Sequence, residues 1–267
     1  MGLAGLFALF ILVIISLFPD LFATHVPTEM NPYDMLVGPS AKHFLGTDDV
    51  GRDVYSRIIY GTRISIFVGF LAAGISTLIG TIIGVTSGYY GGNFGEFLMR
   101  LTDLFLAIPR LPLILVLAAI LGSSIWNIVG VIGVLLWTQV ARIVRSHTLS
   151  VKEIPFIERC RAIGLGDMRI ILFHILPNVL PLIFANSVLL IGTSIYYEVT
   201  VSFLGLGDPS HISWGMLLHD GFTSAAFIKK AYWYIIPPGL AIVVTVLSFA
   251  FVGHALDEVL NPRFRER

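Results

Sequence analysis

The chain has 267 residues, 56% of them hydrophobic and only 13% charged, with no net charge and a mean hydropathy of +0.86. A soluble domain carries about 25% charged residues, so this composition excludes an ordinary water-soluble globule and indicates a polytopic, all-α membrane protein. The single cysteine, Cys160, excludes an intrachain disulfide framework and a cysteine-based metal cluster, and reads as a small apolar residue on a helix face.

Leu3 to Phe18 is an almost unbroken apolar run ended by Pro19 and Asp20. Carried to Phe22 it makes about 20 residues, or ~30 Å of helix, the thickness of a bilayer core. No Lys or Arg precedes it and no small-x-small cleavage site follows closely. It therefore reads as a first membrane span with almost no cytoplasmic tail rather than as a cleaved signal peptide. Ala23 to Tyr60 turns polar and is punctuated by Pro27, Pro32, Pro39, Gly46 and Gly51. A loop of about forty residues is too long to be idle.

A second span is predicted from Ile64 to Tyr90. Within it Ser76, Gly80, Gly84 and Gly88 recur every four residues and form a small-residue stripe on which another helix backbone can approach. After a turn at Gly91, Gly92 and Gly95, a third span runs from Glu96 to Leu121. Glu96, Arg100, Asp103 and Arg110 interrupt it, and Pro109 and Pro112 break its hydrogen bonding. A kinked helix is expected, with a cytoplasmic part to about Ala107 and an apolar part from near Leu111. Arg110 either snorkels to the aqueous side or faces a path through the membrane.

The fourth span is predicted from Trp126 to about Val144. The fifth, from Arg169 to about Val199, contains Pro177 and Pro181 and is expected to tilt or kink. A second extracytoplasmic loop, about Thr200 to Lys230, holds the run SFLGLGDPSHISWG. The sixth span, Trp233 to about Leu256, leads into the tail DEVLNPRFRER. Arg100, Arg142, Arg145, Lys152, Arg159, Arg161, Arg169, Arg263, Arg265 and Arg267 fall on one side. Lys42, Arg52, Arg57, Arg63, Lys229 and Lys230 are spread over longer loops on the other. The first side is the cytoplasmic one, and both termini lie there.

Between spans four and five, Lys152 to Asn178 reads as a water-exposed amphipathic segment. Lys152, Glu153, Glu158, Arg159 and Arg161 alternate in sign, while Ile154, Phe156, Ile157, Cys160 and Ile163 suit one helix face. Pro155 fits a first helical turn, Gly164 and Gly166 fit its C-terminal end, and Asp167 is placed to cap the next helix. Catalytic signatures are missing: there is no phosphate loop, no nucleophile elbow and no zinc-protease motif. The histidines, at 25, 43, 147, 174, 211, 219 and 254, make no close pair at metal-ligand spacing within one helix, so no metal site is predicted. Few acids lie deep in the spans, which weakens an ion-relay reading. Energy is expected to come from another chain, through the amphipathic segment.

At this point a resemblance enters. Glu158, Gly164 six residues later, and His174-Ile175-Leu176-Pro177-Asn178, with Leu-Pro twelve residues after that glycine, resemble the EAA-type signature of ABC importer permeases. HFLGTDDVGRDVYSRIIYGTRIS (His43 to Ser65), SFLGLG (Ser202 to Gly207) and SWG (Ser213 to Gly215) resemble C-type permease subunits of dipeptide, oligopeptide and nickel importers. The likeness covers nearly the whole chain. It departs where Arg159 and Cys160 replace the two alanines after the motif glutamate, and in the short N-terminal tail.

The resemblance implies the ABC type I importer transmembrane fold with six membrane helices. It divides the chain into a first helix and extracytoplasmic loop (1–61), a transmembrane domain (62–257) with a cytoplasmic coupling helix at about 153–166, and a short basic tail (258–267). It further implies a prokaryotic plasma-membrane protein working as a heterodimer with a second homologous permease, two ATP-binding subunits and an extracytoplasmic solute-binding protein. The chain itself would hold no cofactor and no catalytic residue, ATP and Mg being bound by the partner ATPases, and nucleic acid would play no part. Glu153, Phe156, Glu158, Arg159, Arg161, Gly164 and Asp167 are then the expected ATPase-coupling residues. Arg110, Asn178, Asn186 and Glu198 are the candidates for the translocation path. Di- or oligopeptides are the expected cargo, with nickel or another small solute as the alternative; a secondary transporter running on an ion gradient is the rival of a different class.

Overall fold

Inside a bilayer every backbone polar group has to be satisfied within its own segment, so apolar runs of this length become helices. The computed structural model describes residues 2–260. Among these the one strand-like pairing is an isolated antiparallel bridge between Thr47 and Asp53. The residues 261–267, with most of the predicted basic tail, lie outside the described part. The helices are α1 (Gly2–Leu17), α2 (Pro19–Phe22), α3 (Val54–Tyr90), α4 (Gly92–Ala107), α5 (Arg110–Leu121), α6 (Ile125–Lys152), α7 (Pro155–Ala162), α8 (Asp167–Ile170), α9 (Leu176–Val201), α10 (Trp214–Thr223) and α11 (Tyr232–Leu260). π-Turns at Ile171–Ile175 and Ser202–Leu206 flank α9.

Four segments are long and apolar enough to cross a membrane: α3, α6, the α8–α9 run to Leu206, and α11. The α4–α5 pair makes a fifth if taken together, but it is bent by 84° at Ile108 and Pro109, far more sharply than the expected kink. Two prolines within four residues remove the N–H groups that would carry a helix through that point. The first predicted span is also shorter than expected. Its helix stops at Leu17, because Phe18 before Pro19 leaves helical geometry (φ −126°, ψ 56°) and α2 begins as a separate turn.

The α3 helix starts ten residues before the predicted Ile64 and has 37 residues, or ~56 Å at the α-helical rise. Asp53 is the cause: its carboxylate accepts the Ser56 N–H at 2.8 Å and caps the helix well outside the apolar run. The predicted stripe on α3 receives α6. The Ser76 hydroxyl donates to the Gly133 carbonyl at 2.7 Å. A Cβ at Gly80, Gly84 or Gly88 would lie 2.5–2.8 Å from side-chain carbons of Val140, Val144 or Thr148. The fifth span keeps its prolines by widening: the π-turn Ile171–Ile175, in which Leu176 N–H reaches back five residues to the Ile171 carbonyl, precedes Pro177.

The loops 23–53, 122–124 and 207–231 gather at one end of the helices, here the loop end. The turn after α3 and the segment from α7 to the first π-turn lie at the other, the α7 end. Gly2 sits against Ala255, so α1 and α11 run antiparallel with their described chain ends together. The main apolar core lies among α3, α5, α6 and α9, with Ile114, Ile132, Leu136, Ile175, Val179 and Ile195 fully buried.

Gly84→Leu is expected to destabilise the protein by about 1–3 kcal/mol, the usual cost of overpacking, because Val144 Cβ and the Ala141 carbonyl stand 2.6 and 2.7 Å from the added carbon. Gly130→Ala, which meets nothing within 4 Å, serves as the control. Thermal unfolding in detergent that shows equal midpoints for the two variants would refute the close-packing account.

Candidate functional site

At the loop end, charged residues form a buried network that ties distant stretches together. Asp48 Oδ1 accepts the backbone N–H groups of Val50 and Arg52, while Oδ2 accepts Arg52 Nε and Arg57 Nη1, both at 2.6 Å. Arg57 continues to Asp220 on α10 at 2.9 Å. Side-chain exposure is 0% for Asp48 and 4% for Arg57, so each charge relies on the other for its solvation. Trp233 Nε1 donates to the Thr47 carbonyl at 3.1 Å, and the Tyr234 hydroxyl donates to Asp49 at 3.3 Å. Gly51 needs its φ of +82°, and a Cβ there would fall 1.9 Å from the Asn31 carbonyl oxygen.

The SWG stretch locks onto α3. Trp214 is fully buried and its Nε1 donates to the Ile58 carbonyl at 3.0 Å. Glu198, a predicted path residue, sits in this packed node. Its carboxyl accepts from Ser65 (3.2 Å) and Ser202 (2.9 Å) and is 2% exposed. Asp208, in the loop after the second π-turn, caps α6 across 83 residues of sequence by accepting the Ile125 N–H at 3.0 Å. Burial pushes its carboxyl up, but the Ser210 hydroxyl and N–H, the Ile125 N–H and His211 outweigh that and hold it at about 2.

Between α6 and α9 lies an open cavity of about 390 Å³ lined by Gln139, Arg142, Asn186 and Thr193 among apolar residues that include Leu106 and Leu190. Of the predicted path residues, Asn186 is in it, its amide donating back to Leu182 C=O. The others are not. Asn178 is exposed and donates to the His174 carbonyl at 2.6 Å, and Arg110 reaches Thr138 on α6 at 3.5 Å. Arg142, not singled out in the sequence, pairs with Asp103 on α4 at 2.5 Å.

At the opposite end α7 is a short amphipathic helix. Pro155 is its first residue, and Gly164 at φ +82° ends it, with Leu165 N–H returning to the Cys160 carbonyl at 3.1 Å. Its inward face is narrower than predicted: only Ile157 and Cys160 are buried. Ile154, Phe156 and Ile163 are exposed together with Glu153, Glu158, Arg159 and Arg161. The predicted cap on the next helix is also corrected. Gly166 takes the cap position, and Asp167, one residue inside, accepts the Tyr89 hydroxyl at 2.5 Å instead. Arg161 lies over the Tyr89 ring, 5.1 Å from its centroid, and Lys152 Nζ donates to the Tyr89 carbonyl at 2.6 Å. Phe156 meets His174 edge to face at 5.2 Å. Tyr89, unmarked in the sequence beyond its place at the end of an apolar run, thus ties α3 to the segment that follows α6.

A bundle with a buried loop-end network, a cavity holding four polar side chains among apolar ones and an exposed helix between two spans is the build of a transport permease. The residues 80–266 match the model of the binding-protein-dependent transport system inner membrane component family, and the chain belongs to it. It is 37% identical over 266 residues to the dipeptide transport system permease protein DppC of Alkalihalophilus pseudofirmus, covering 99% of this chain and 86% of that one. It is 32% identical to the oligopeptide permease protein OppC of Bacillus subtilis (100% and 87% covered). It is 36% identical to the glutathione permease protein GsiD of Pectobacterium atrosepticum (98% and 86%). Among solved structures, an inward-facing conformation of the MetNI methionine ABC transporter shares the fold with a TM-score of 0.61 at 19% identity, over 77% of this chain and 96% of that one.

Asp48→Ala leaves Arg57 a buried, half-paired charge, and the expected loss of stability is about 3–5 kcal/mol. A variant whose thermal midpoint equals that of the parent would show that the network does not hold the loop end.

Proposed function

We propose that this chain is one of two permease subunits of an ATP-driven importer of di- or oligopeptides, with α7 as the helix that docks into the ATPase. In this reading the chain crosses six times, counting the shorter α1 and the bent α4–α5 pair, with α7 and both termini in the cytoplasm and the loop end outside. A second homologous permease completes the pathway, two ATP-binding subunits sit below, and a solute-binding protein delivers cargo to the loop end. The observation that carries this reading is the exposure of Phe156, Glu158 and Arg159 on a helix whose neighbours are anchored to two different spans.

The mechanism follows from those anchors. When the ATPases close on ATP, α7 moves with its groove. Tyr89 passes the displacement to α3 through Asp167 and Arg161, and the Phe156–His174 contact passes it to the π-turn that opens α9. The cavity between α6 and α9 changes shape as those helices shift, giving alternating access. Its side-chain amides, Gln139 and Asn186, each offer both a donor and an acceptor, as a peptide bond does. Such pairing reads the backbone of a peptide and little of its side chains. No Asp or Glu is among the residues lining that cavity, which disfavours an ion-coupled carrier. The names of the relatives favour peptide over nickel as cargo.

Glu158→Lys is expected to lower ATP-dependent peptide uptake by at least tenfold in proteoliposomes holding the full importer, while the basal ATPase rate persists without stimulation by loaded binding protein. Tyr89→Phe, which keeps the ring but loses the Asp167 bond, is expected to fall between that variant and the parent. Undiminished, stimulated transport by Glu158→Lys would rule out α7 as the docking helix.

A further inference from the structure

His25, His43 and Asp53 stand apart from both α7 and the cavity, and the permease mechanism gives them no task. They come from three places: the extended chain after α2, the middle of the long loop, and the cap of α3. The two imidazoles lie with ring centroids 4.7 Å apart, tilted by 31°. Both turn Nδ1 to the same carboxylate oxygen, Asp53 Oδ1, at 2.9 Å for His43 and 3.7 Å for His25. One ligand atom from each residue falls within 4.8 Å of the others. The second oxygen, Asp53 Oδ2, is engaged by the Ser56 N–H, which fixes the carboxylate and leaves Oδ1 to the histidines.

The site is held from behind. Asp53 is 2% and His43 5% exposed. The backbone N–H groups of Thr24 and His25 donate to Ser56 Oγ at 3.2 and 3.0 Å, so His25 is pinned to the first turn of α3. Thr24 Oγ1 lies 3.0 Å from His25 Nδ1, the one other polar contact on that atom. With a neutral His43 ring, a hydrogen bond alone does not satisfy the cluster. If a neutral His43 donates to Asp53 through Nδ1, its Nε2 is a buried acceptor with no hydrogen-bond partner, and Asp34 Oδ2, 3.7 Å away, is another acceptor. In the other tautomer two lone pairs face each other across 2.9 Å.

A cation removes the conflict. Ligand atoms around a tetrahedral ion with bonds near 2.05 Å stand about 3.3 Å apart; here the two histidine nitrogens lie 2.9 and 3.7 Å from Asp53 Oδ1, and all three ligand atoms fall within 4.8 Å. Binding through Nδ1 then leaves Nε2–H of His43 pointing toward the Asp34 carboxylate, the partner that ligating histidines ordinarily find. A cavity of about 90 Å³ opens beside the three residues and is also lined by Glu29 and Asn31, with room for a water as the fourth ligand at about 30 Å³. Two imidazoles and one carboxylate select borderline divalent ions over Mg²⁺ or Ca²⁺. We propose that His25, His43 and Asp53 bind a divalent transition-metal ion of the zinc class, which braces the chain after α2 against the start of α3. The ion is a resident of the loop end, and the proposal stands whatever the importer carries.

The test uses the full-length chain, purified in detergent with the subunits that accompany it and without a polyhistidine tag, stripped with chelator and titrated with Zn²⁺ by calorimetry. Thermal unfolding in Zn²⁺ or Mg²⁺ is followed in parallel. One Zn²⁺ is expected per copy of this chain, at micromolar dissociation constant or tighter, raising the unfolding midpoint where Mg²⁺ does not. His25→Ala spares the Asp53 cap and the His43–Asp53 contact, and is expected to weaken binding at least tenfold and abolish the Zn²⁺-induced shift. His43→Gln is expected to do the same. Zn²⁺ binding no tighter than Mg²⁺ in the parent, or equal Zn²⁺ affinity in His25→Ala, overturns the proposal.

Discussion

The close approach of α3 and α6 is the constraint on which the other contacts depend. Gly80, Gly84 and Gly88 let backbone meet backbone, and the Ser76–Gly133 hydrogen bond registers the two helices along their length. Within a membrane, dispersion contacts of this kind replace the hydrophobic effect as the source of helix association. Because α3 is long enough to extend past the apolar layer, that one interface positions both ends of the molecule. Its first turns carry Asp53 and Arg57 into the loop-end network, and its last residues bring Tyr89 to the segment around α7.

The two ends are built on different physics. At the loop end, charges are buried and each has several partners, so the arrangement is costly to loosen: Asp48 alone accepts from two backbone N–H groups and two guanidinium groups. At the α7 end the contacts are lighter: the Tyr89 hydroxyl bonds Asp167, Arg161 lies over the Tyr89 ring, Lys152 donates to the Tyr89 carbonyl, Phe156 meets His174 edge to face, and Ile157 and Cys160 pack inward. In the proposed importer, a firmly held loop end and a more lightly held α7 suit a helix that another subunit moves.

Much of this was legible in the residues, and what was not has identifiable reasons. The stripe on α3 showed itself because a four-residue repeat of small side chains has one helical meaning, and α7 because Pro155 and Gly164 bracket an alternation of charge. The bounds of α3 were missed because Arg57, Tyr60 and Arg63 interrupt the apolar run while an N-cap, not hydropathy, sets the start. Asp167 was assigned to the wrong partner because a carboxylate near a helix start suits capping equally well, and only the fold brings Tyr89 within reach. Among the path candidates, polarity on a span could not separate Asn186, which lines the cavity, from Glu198, which three serine-bearing segments enclose. The His25, His43 and Asp53 constellation was invisible to a search within single helices, since its members meet only when the long loop folds back on α3.

The Asp208 cap has a consequence for how force travels. It joins the outer start of α6 to the segment just beyond α9, while at the other end the two helices are connected through α7. Two rods hinged at one tip and bridged at the other behave as a lever with its fulcrum at Asp208. α6, 28 residues long, gives an arm of about 42 Å. In the proposed mechanism a push of a few ångströms on α7 would thus reach the middle of α6 roughly halved in amplitude and leave the Asp208 end nearly still.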